Sequence, residues 1–326
     1  MTLAELDVVF LVWREAPAML ARHHAAVAAA LPSGWPGTAL LFENGAAERT
    51  ARAAEALVRS SYPHATRLAL RSRRNRGFAR AMNLALAQCP GRYVALVNSD
   101  GRPAPGMFER LVSVLDEHPD AIWAAPGVHG PGEPGHPPGP PHPEPELPGM
   151  ALAIRREAFL ALGGFDPLFF FYNEDFDASR RIRAAGGKLL RVPSARFDHG
   201  KGGRSRRGRL IREFWFAATH QALEVRHAAR PAGALGRLLA SRRRALAEHA
   251  RAGDWPGLAG IGLAAAGLPV TTALALGRRR APWDERRLRA WLARTRPRVQ
   301  LAELAAAGAV TPAPMGQLTP VPPSPQ

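Results

Sequence analysis

The sequence predicts an α/β protein: a mostly parallel central sheet with helices on both faces, followed by a basic helical C-terminal region. Three observations predict it. Short β-branched or apolar runs alternate with helix-like stretches through the first two-thirds of the chain, as in a sheet built from strand–helix–strand units. Several of those runs end in Asn, Asp or Glu, at the carboxyl ends of strands where open sheets bind ligands. Charge is also divided unevenly. Residues 1–200 hold 22 Arg/Lys against 20 Asp/Glu, whereas residues 201–326 hold 22 against 7.

The first strand is Leu6–Val12, LDVVFLV, an apolar run read as buried. Ala18–Leu31 is alanine-rich with helical spacing and stops before Pro32. Thr38–Phe42 is the second strand and leads into Glu43-Asn44-Gly45; Glu48–Ser60 is a helix. Thr66–Leu70 is the third strand, followed by a basic loop and a helix over Ala79–Ala87. Tyr93–Val97 is the fourth strand and ends in Asn98-Ser99-Asp100. Gly106–Glu117 is a helix and Ala121–Ala125 a fifth strand. Residues 127–149 are so rich in proline and glycine that they are expected to form neither helix nor central strand, and such a loop inside a domain is a functional lid or disordered. Met150–Ile154 resumes as a strand, and Arg156–Leu162 is a short helix ending at Gly163.

Residues 163–199 concentrate the chemistry. A glycine pair leads into Phe169-Phe170-Phe171-Tyr172, the carboxylates Glu174-Asp175 open a helix, and His199 closes a strand pattern. Carboxylates at a helix mouth with a histidine returning beside them are parts of an acid/base or metal site; acids also suit a helix N-terminus for its dipole alone. At least two of the four aromatic residues are expected to be core, the others an acceptor platform. Three histidines of the proline loop, His129, His136 and His142, lack metal-ligand spacing. GxxxxGK[ST] does not occur, and the GxGxxG spacing of Gly130, Gly132 and Gly135 lies in the proline loop and not between a strand and a helix, which excludes a P-loop and a dinucleotide fingerprint.

The formal net charge is +17, and the basic last third could meet nucleic acid, anionic lipid or phosphorylated substrates. A GC-rich genome would also account for the near-exclusive use of arginine. The single cysteine, Cys89, permits no intramolecular disulfide and suits a reducing compartment. The N-terminus reads as a strand and not as a signal peptide. Trp255–Leu276 carries no charge for 22 positions, but its prolines, glycines and alanines favour a membrane-surface hairpin over a span. Basic flanks suit an anionic membrane surface. The tail after Gly308 is proline-rich and expected to be disordered.

Four motifs in order resemble the family 2 glycosyltransferases of the GT-A fold, in their rhamnosyltransferase-like branch. They are Glu43-Asn44-Gly45; Asn75-Arg76-Gly77-Phe78 with Asn83; Asn98-Ser99-Asp100, similar to a DxD motif; and GMALAIRREAFLALGGFD followed by the aromatic run, EDFD and HGKGGRS. The resemblance covers about residues 6–225. Three regions are expected: a GT-A domain over 1–225 with the 127–149 loop, as the resemblance implies, and, from composition, a basic helical, membrane-associated region over 226–307 and a disordered tail over 308–326.

The resemblance further implies an inverting glycosyltransferase with a nucleoside-diphosphate sugar as donor (dTDP-, UDP- or GDP-linked) and a glycan or lipid-linked acceptor. Its work would be cell-surface polysaccharide synthesis, on the cytoplasmic side and peripheral on the inner face of the cell membrane, with rhamnose the family-weighted sugar. Asp100 and His199 would contact a divalent metal, Mg²⁺ or Mn²⁺, that stabilises the departing diphosphate. Asp175 would be the general base for the acceptor hydroxyl, with Glu174 beside it. Glu43, Asn44, Asn75, Gly77 and Asn98 would bind the nucleotide sugar. Arg14 would meet the donor or stand as a solvated loop residue. Asn98 and Glu43 depart from the family's usual acids, which gives some weight to a degenerate transferase serving as a scaffold. A nucleic-acid-binding protein is the reading from charge alone, but no nucleic-acid module is recognisable, and no nucleic-acid partner is expected.

Overall fold

The computed structural model describes residues 3–131, 133, 135–200, 206–295 and 299–304. The strands are β1 (Leu6–Val12), β2 (Thr38–Asn44), β3 (Thr66–Ser72), β4 (Tyr93–Val97), β5 (Gly101–Pro103), β6 (Ala121–His129), β7 (His142–Pro143), β8 (Ala151–Arg155), β9 (Lys188–His199) and β10 (Gln300–Glu303). The helices are α1 (Pro17–Ala30), α2 (Glu48–Ser61), α3 (Phe78–Leu86), α4 (Met107–Glu117), α5 (Arg156–Ala161), α6 (Glu174–Ala184), α7 (Arg206–His227), α8 (Pro231–Arg251), α9 (Trp255–Ala266), α10 (Leu268–Arg280) and α11 (Glu285–Thr295). All strands join one sheet in the order β10-β3-β2-β1-β4-β8-β6-β9-β5, with β7 alongside β9.

The half β3-β2-β1-β4 is parallel throughout, because a helix crosses over between each successive pair of strands. Beyond β4 the sheet is mixed: β8 runs antiparallel to both β4 and β6, while β6 and β9 are parallel. No helix crossover joins β6 to β8, so nothing there imposes a parallel pair. Alternation along β1 sends Val8, Phe10 and Val12 to one face and Val9 to the other. The first face is covered by α1, α2 and α4, the second by α3, α5, α6 and α11.

One local expectation is corrected and two are refined. Residues 127–149 do contribute to a central strand: Gly127–His129 complete β6 and pair with Arg196–Asp198, after a register shift at Pro126/Gly127 that takes up the proline. The C-terminal third is not helical throughout. β10 adds an antiparallel edge to β3, and Leu288 and Leu292 of α11 join the second core face. The charge-free stretch from Trp255 is divided into α9 and α10, bent by 59°, and among the described residues no single helix is long and apolar enough to cross a membrane. The proline-rich tail and Lys201–Ser205 of the HGKGGRS turn lie outside the described residues.

The expected boundary at residue 225 falls inside α7, and buried charge ties that helix to the sheet domain. Asp166 and Asp177 are both fully buried. Nη1 of Arg226 reaches Asp166 at 2.6 Å and Asp177 at 2.9 Å. Asp177 is also met by Arg181 at 2.9 Å and by Nε2 of His227 at 2.9 Å. Arg278 of α10 adds a contact to Asp166 at 3.1 Å. Burial opposes ionisation of Asp177, but Arg181, His227 and Arg226 outweigh it and hold the carboxyl below the usual carboxylate range. Removing one partner from a buried ionic cluster strands the others. Asp177→Ala is therefore expected to cost about 3–5 kcal/mol, measured by denaturant unfolding, and Asp177→Asn, which keeps an acceptor, to cost less. An unchanged midpoint for Asp177→Ala would show that this cluster does not hold α7 in place.

Candidate active site

A cavity of about 550 Å³ opens at the carboxyl ends of β1, β2 and β4. Its sheet side is lined by Arg14, Asn44, Asn75, Gly77, Asn98, Asp100 and His199. The opposite wall is made by Phe170, Phe171, Tyr172, Glu174 and Asp175, together with Ile211 and Trp215 of α7. Nine of the ten residues singled out from sequence thus line one space. The tenth, Glu43, does not. Successive strand residues face opposite ways, so Asn44 turns into the cavity while Glu43 lies against α2. There it shares Arg71 with Glu55. Burial and the neighbouring Glu55 push its carboxyl up to about 7.

The sheet-side wall is held by its own polar groups. Nδ2 of Asn44 donates to Oδ1 of Asn75 at 3.0 Å, and Oδ1 of Asn44 accepts from the Arg76 backbone at 2.7 Å. Oδ1 of Asn75 also accepts from the Gly77 N–H at 2.8 Å. Gly77 has φ +77°, and a Cβ there would run into the Phe170 carbonyl, so only glycine fits. The Phe78 N–H donates to that carbonyl at 2.9 Å and joins this loop to the aromatic turn. Arg14 lies over the Trp13 ring at 4.6 Å.

Asp100 and His199 are brought together by a strand pair in which Gly101 stands opposite His199. Oδ2 of Asp100 lies 3.5 Å from Nε2 of His199, whose Nδ1 is 2.8 Å from Glu133. Asp100 and, against burial, Glu133 raise the imidazole to about 9. Among the described residues Oδ1 of Asp100 is buried without a hydrogen-bond partner. An orphaned carboxylate oxygen beside an imidazole oriented by a second carboxylate is a donor set that fits a divalent cation. No group of three or more potential ligands is found among the described residues. Magnesium-type sites are commonly completed by substrate phosphates and water.

The carboxylate pair sits on an unusual turn. Tyr172 and Asn173, neither a glycine, have φ of 68° and 63° and lead directly into α6. Nδ2 of the buried Asn173 donates to Oγ1 of Thr219 on α7 at 2.9 Å, and that hydroxyl donates to the Trp215 carbonyl at 2.6 Å. Asp175 accepts two backbone hydrogen bonds, from Gly149 at 2.7 Å and Phe176 at 2.9 Å. Glu174 is buried, and its Oε2 has no hydrogen-bond partner among the described residues. Burial and then the charge of Asp175 push Glu174 well above the carboxylate range. Burial also raises Asp175, opposed by its backbone donors.

Only Phe169 of the aromatic run is core. The expectation of at least two core rings fails because α7, distant in sequence, offers rings to pack against at the cavity rim. Phe170 stacks on Trp215 at 4.6 Å, and Tyr172 meets Phe216 edge-on at 6.1 Å. Sequence reasoning also missed Glu133, Trp13, Glu15 and the α7 wall. Glu15 follows strand one directly, accepting from the Trp13 N–H at 2.6 Å, and its position past a strand end could have drawn notice. Glu133 and Trp215 lie far from their partners along the chain, with no local signal.

This architecture is that of the GT-A fold. Residues 36–178 match the model of the family described as glycosyl transferase family 2. Among curated proteins it is 27% identical over 212 residues to the N-acetylglucosaminyl-diphospho-decaprenol L-rhamnosyltransferase of Mycobacterium tuberculosis, covering 51% of this chain and 67% of that protein. Among solved structures it shares the fold of the mannosyltransferase PcManGT from Pyrobaculum calidifontis in complex with GDP-Man and Mn²⁺. That match has a TM-score of 0.56 and 18% identity, and covers 85% of this chain and 87% of that one. GalNAc-T7 with UDP, GalNAc and Mn²⁺ matches with a TM-score of 0.54 and 18% identity, over 67% of this chain and 51% of that one, so the chain spans about half the length of that relative.

The Asn173–Thr219 bond predicts a functional dependence on α7. Thr219→Val leaves a buried amide donor unpaired and is expected to cost about 1–3 kcal/mol. By loosening the turn before Glu174 it should lower sugar transfer on the order of 10- to 100-fold, while Thr219→Ser retains activity. Calorimetric nucleotide binding unchanged in Thr219→Val would locate the loss in catalysis, and wild-type turnover would refute the link.

Proposed function

We propose that the protein transfers a sugar, with inversion, from a nucleoside diphosphate to a hydroxyl of a lipid-linked glycan at the inner face of the cell membrane. The observation that supports this reading is that Asp100, His199, Glu174 and Asp175 line a single cavity together with Phe170, Phe171 and Tyr172. The resemblance to a rhamnosyltransferase whose named acceptor is a diphospho-decaprenol supports a lipid-linked acceptor and favours a rhamnosyl donor.

In this reading Arg14, Asn44, Asn75, Gly77 and Asn98 form the donor wall. Asn44 and Asn75 mainly hold the wall's shape, since their side chains are engaged with each other and with the backbone. Asp100 and His199 would hold a divalent cation, with Glu133 orienting the imidazole; when bound, the cation offsets the charge growing on the departing diphosphate. Asp175 takes the proton from the acceptor hydroxyl as it attacks the anomeric carbon. Glu174, more deeply buried and with no donor on Oε2 among the described residues, keeps the pair's shared proton. Asp175, steadied by two N–H groups, remains the anion. Direct displacement with one base inverts the anomeric centre. Glu43 has no part in donor binding because its side chain faces α2.

Thermal shift with UDP, dTDP and GDP, with and without Mn²⁺, followed by a nucleotide-release assay, tests this function. One nucleotide should stabilise the protein in a metal-dependent way, and stabilisation by none would remove the proposal. Asp175→Asn should lower transfer by about 10²–10⁴-fold with nucleotide affinity retained. Glu174→Gln, which imitates the protonated acid, should stay within about ten-fold of wild type. The reverse ranking would exchange their roles.

The base also sets the pH profile. Burial raises Asp175 in the folded protein, and activity needs the deprotonated form. Activity is therefore present above the raised value and lost as pH falls through it. The acidic limb of kcat/KM should lie above the ordinary aspartate value of about 4. A limb at or below that value would argue against a buried base.

A further inference from the structure

We propose that α9 and α10 form a docking face for an anionic lipid bilayer, lying flat on it beside the active-site cleft. The identification of the occupant as lipid rests in part on the lipid-linked acceptor proposed above; the face itself rests on separate observations.

Each of these helices has one face against protein and one left open. Gly257, Gly260, Ile261 and Ala264 of α9 are buried, as is Ala275 of α10. Gly260 lies so close to α7 that an added Cβ would press on Leu210 and Phe214. Gln221 of α7 donates to the Leu268 carbonyl at 2.8 Å and to Oγ1 of Thr272 at 2.7 Å. The opposite faces carry Trp255, Leu263, Val270 and Leu274 at 75%, 54%, 64% and 52% exposure. Their spacing follows one helical stripe on each helix, and no charged side chain interrupts residues 255–277. Large apolar side chains exposed together in this way mark an interaction surface.

Charge identifies the partner. From α8 to α10, residues 231–280 hold eight arginines against two acids, Glu248 and Asp254. Asp254 is engaged with His249 at 2.9 Å. Arg237, Arg243, Arg244 and Arg280 are exposed. An uncharged apolar stripe flanked by arginine matches the interface of an anionic membrane, with aromatic and aliphatic groups in the acyl boundary and guanidinium groups among the headgroups. Spanning does not fit. At 1.5 Å per residue α9 and α10 are each about 18–20 Å long, short of the ~30 Å hydrocarbon core. Their bend of 59° and their protein-covered sides suit a surface position.

The test uses the full chain and sedimentation with vesicles of phosphatidylcholine alone or with added phosphatidylglycerol. Binding should require phosphatidylglycerol and weaken with salt. The Leu263→Glu/Val270→Glu double variant alters only exposed positions. It should keep the wild-type melting temperature and bind about ten-fold more weakly or less. Trp255 fluorescence, isolated by subtracting Trp255→Phe, should shift to the blue on binding. Transfer to a water-soluble acceptor should be unchanged in the double variant. Failure of the wild type to bind, equal binding to neutral vesicles, or undiminished binding by the double variant would each overturn the docking face. So would a dimer that the double variant dissociates without any vesicle binding. Loss of the transferase reading would show separately, as absent nucleotide-dependent transfer in the soluble assay.

Discussion

Two consecutive residues with positive φ, Tyr172 and Asn173, set the direction from which α6 enters the cavity. Such conformations cost of order 1–3 kcal/mol each for residues with side chains, so the surroundings must fix them. They are fixed from two sides. The Phe78 N–H grips the Phe170 carbonyl from the loop after β3, and Thr219 grips Asn173 from α7. Residues distant in sequence therefore determine where Glu174 and Asp175 point. The site depends on the C-terminal helices as much as on the sheet.

Once the turn is fixed, the two adjacent acids are separated by their surroundings and not by their chemistry. Asp175 has backbone donors on both oxygens, whereas Glu174 is enclosed with an oxygen left unpaired among the described residues. Two like charges side by side in a partly dry space do not both ionise at little cost, so the environment assigns the proton. The next acid in the helix illustrates the contrast. Asp177 is buried as deeply, but it has arginine partners and stays charged as a structural anchor.

Much of this was legible from local pattern. Strand ends in an alternating α/β chain face the ligand side, which sufficed to bring Asn44, Asn75, Asn98 and Asp100 to one cavity. The same logic fails by one residue at Glu43, because a strand reverses its side chains at every step and the acid-Asn pair does not reveal which member faces in. What escaped the sequence depends on packing between distant segments: Glu133 reaching His199, Trp215 stacking on Phe170, β10 closing on β3. Residues 127–129 are expected to belong to the proline/glycine loop and instead prolong β6, across a register shift between Pro126 and Gly127.

One helix joins the chemistry to the outer surface. On one side α7 lends Ile211 and Trp215 to the cavity; on another its Leu210–Phe214 stretch receives Gly260 of α9. Helices packed through glycine approach at the short end of the usual 8–10 Å separation. The open stripe of α9 is thus only about two helix layers from the aromatic wall of the cleft. A bilayer resting on that stripe would hold a lipid-linked acceptor beside the rim formed by Phe171, Tyr172 and Phe216 without any of the catalytic groups entering the membrane. The glycine-rich character of α9 then has a physical reason. It lets α9 pack closely on α7, at the expense of the apolar bulk that a true span would need.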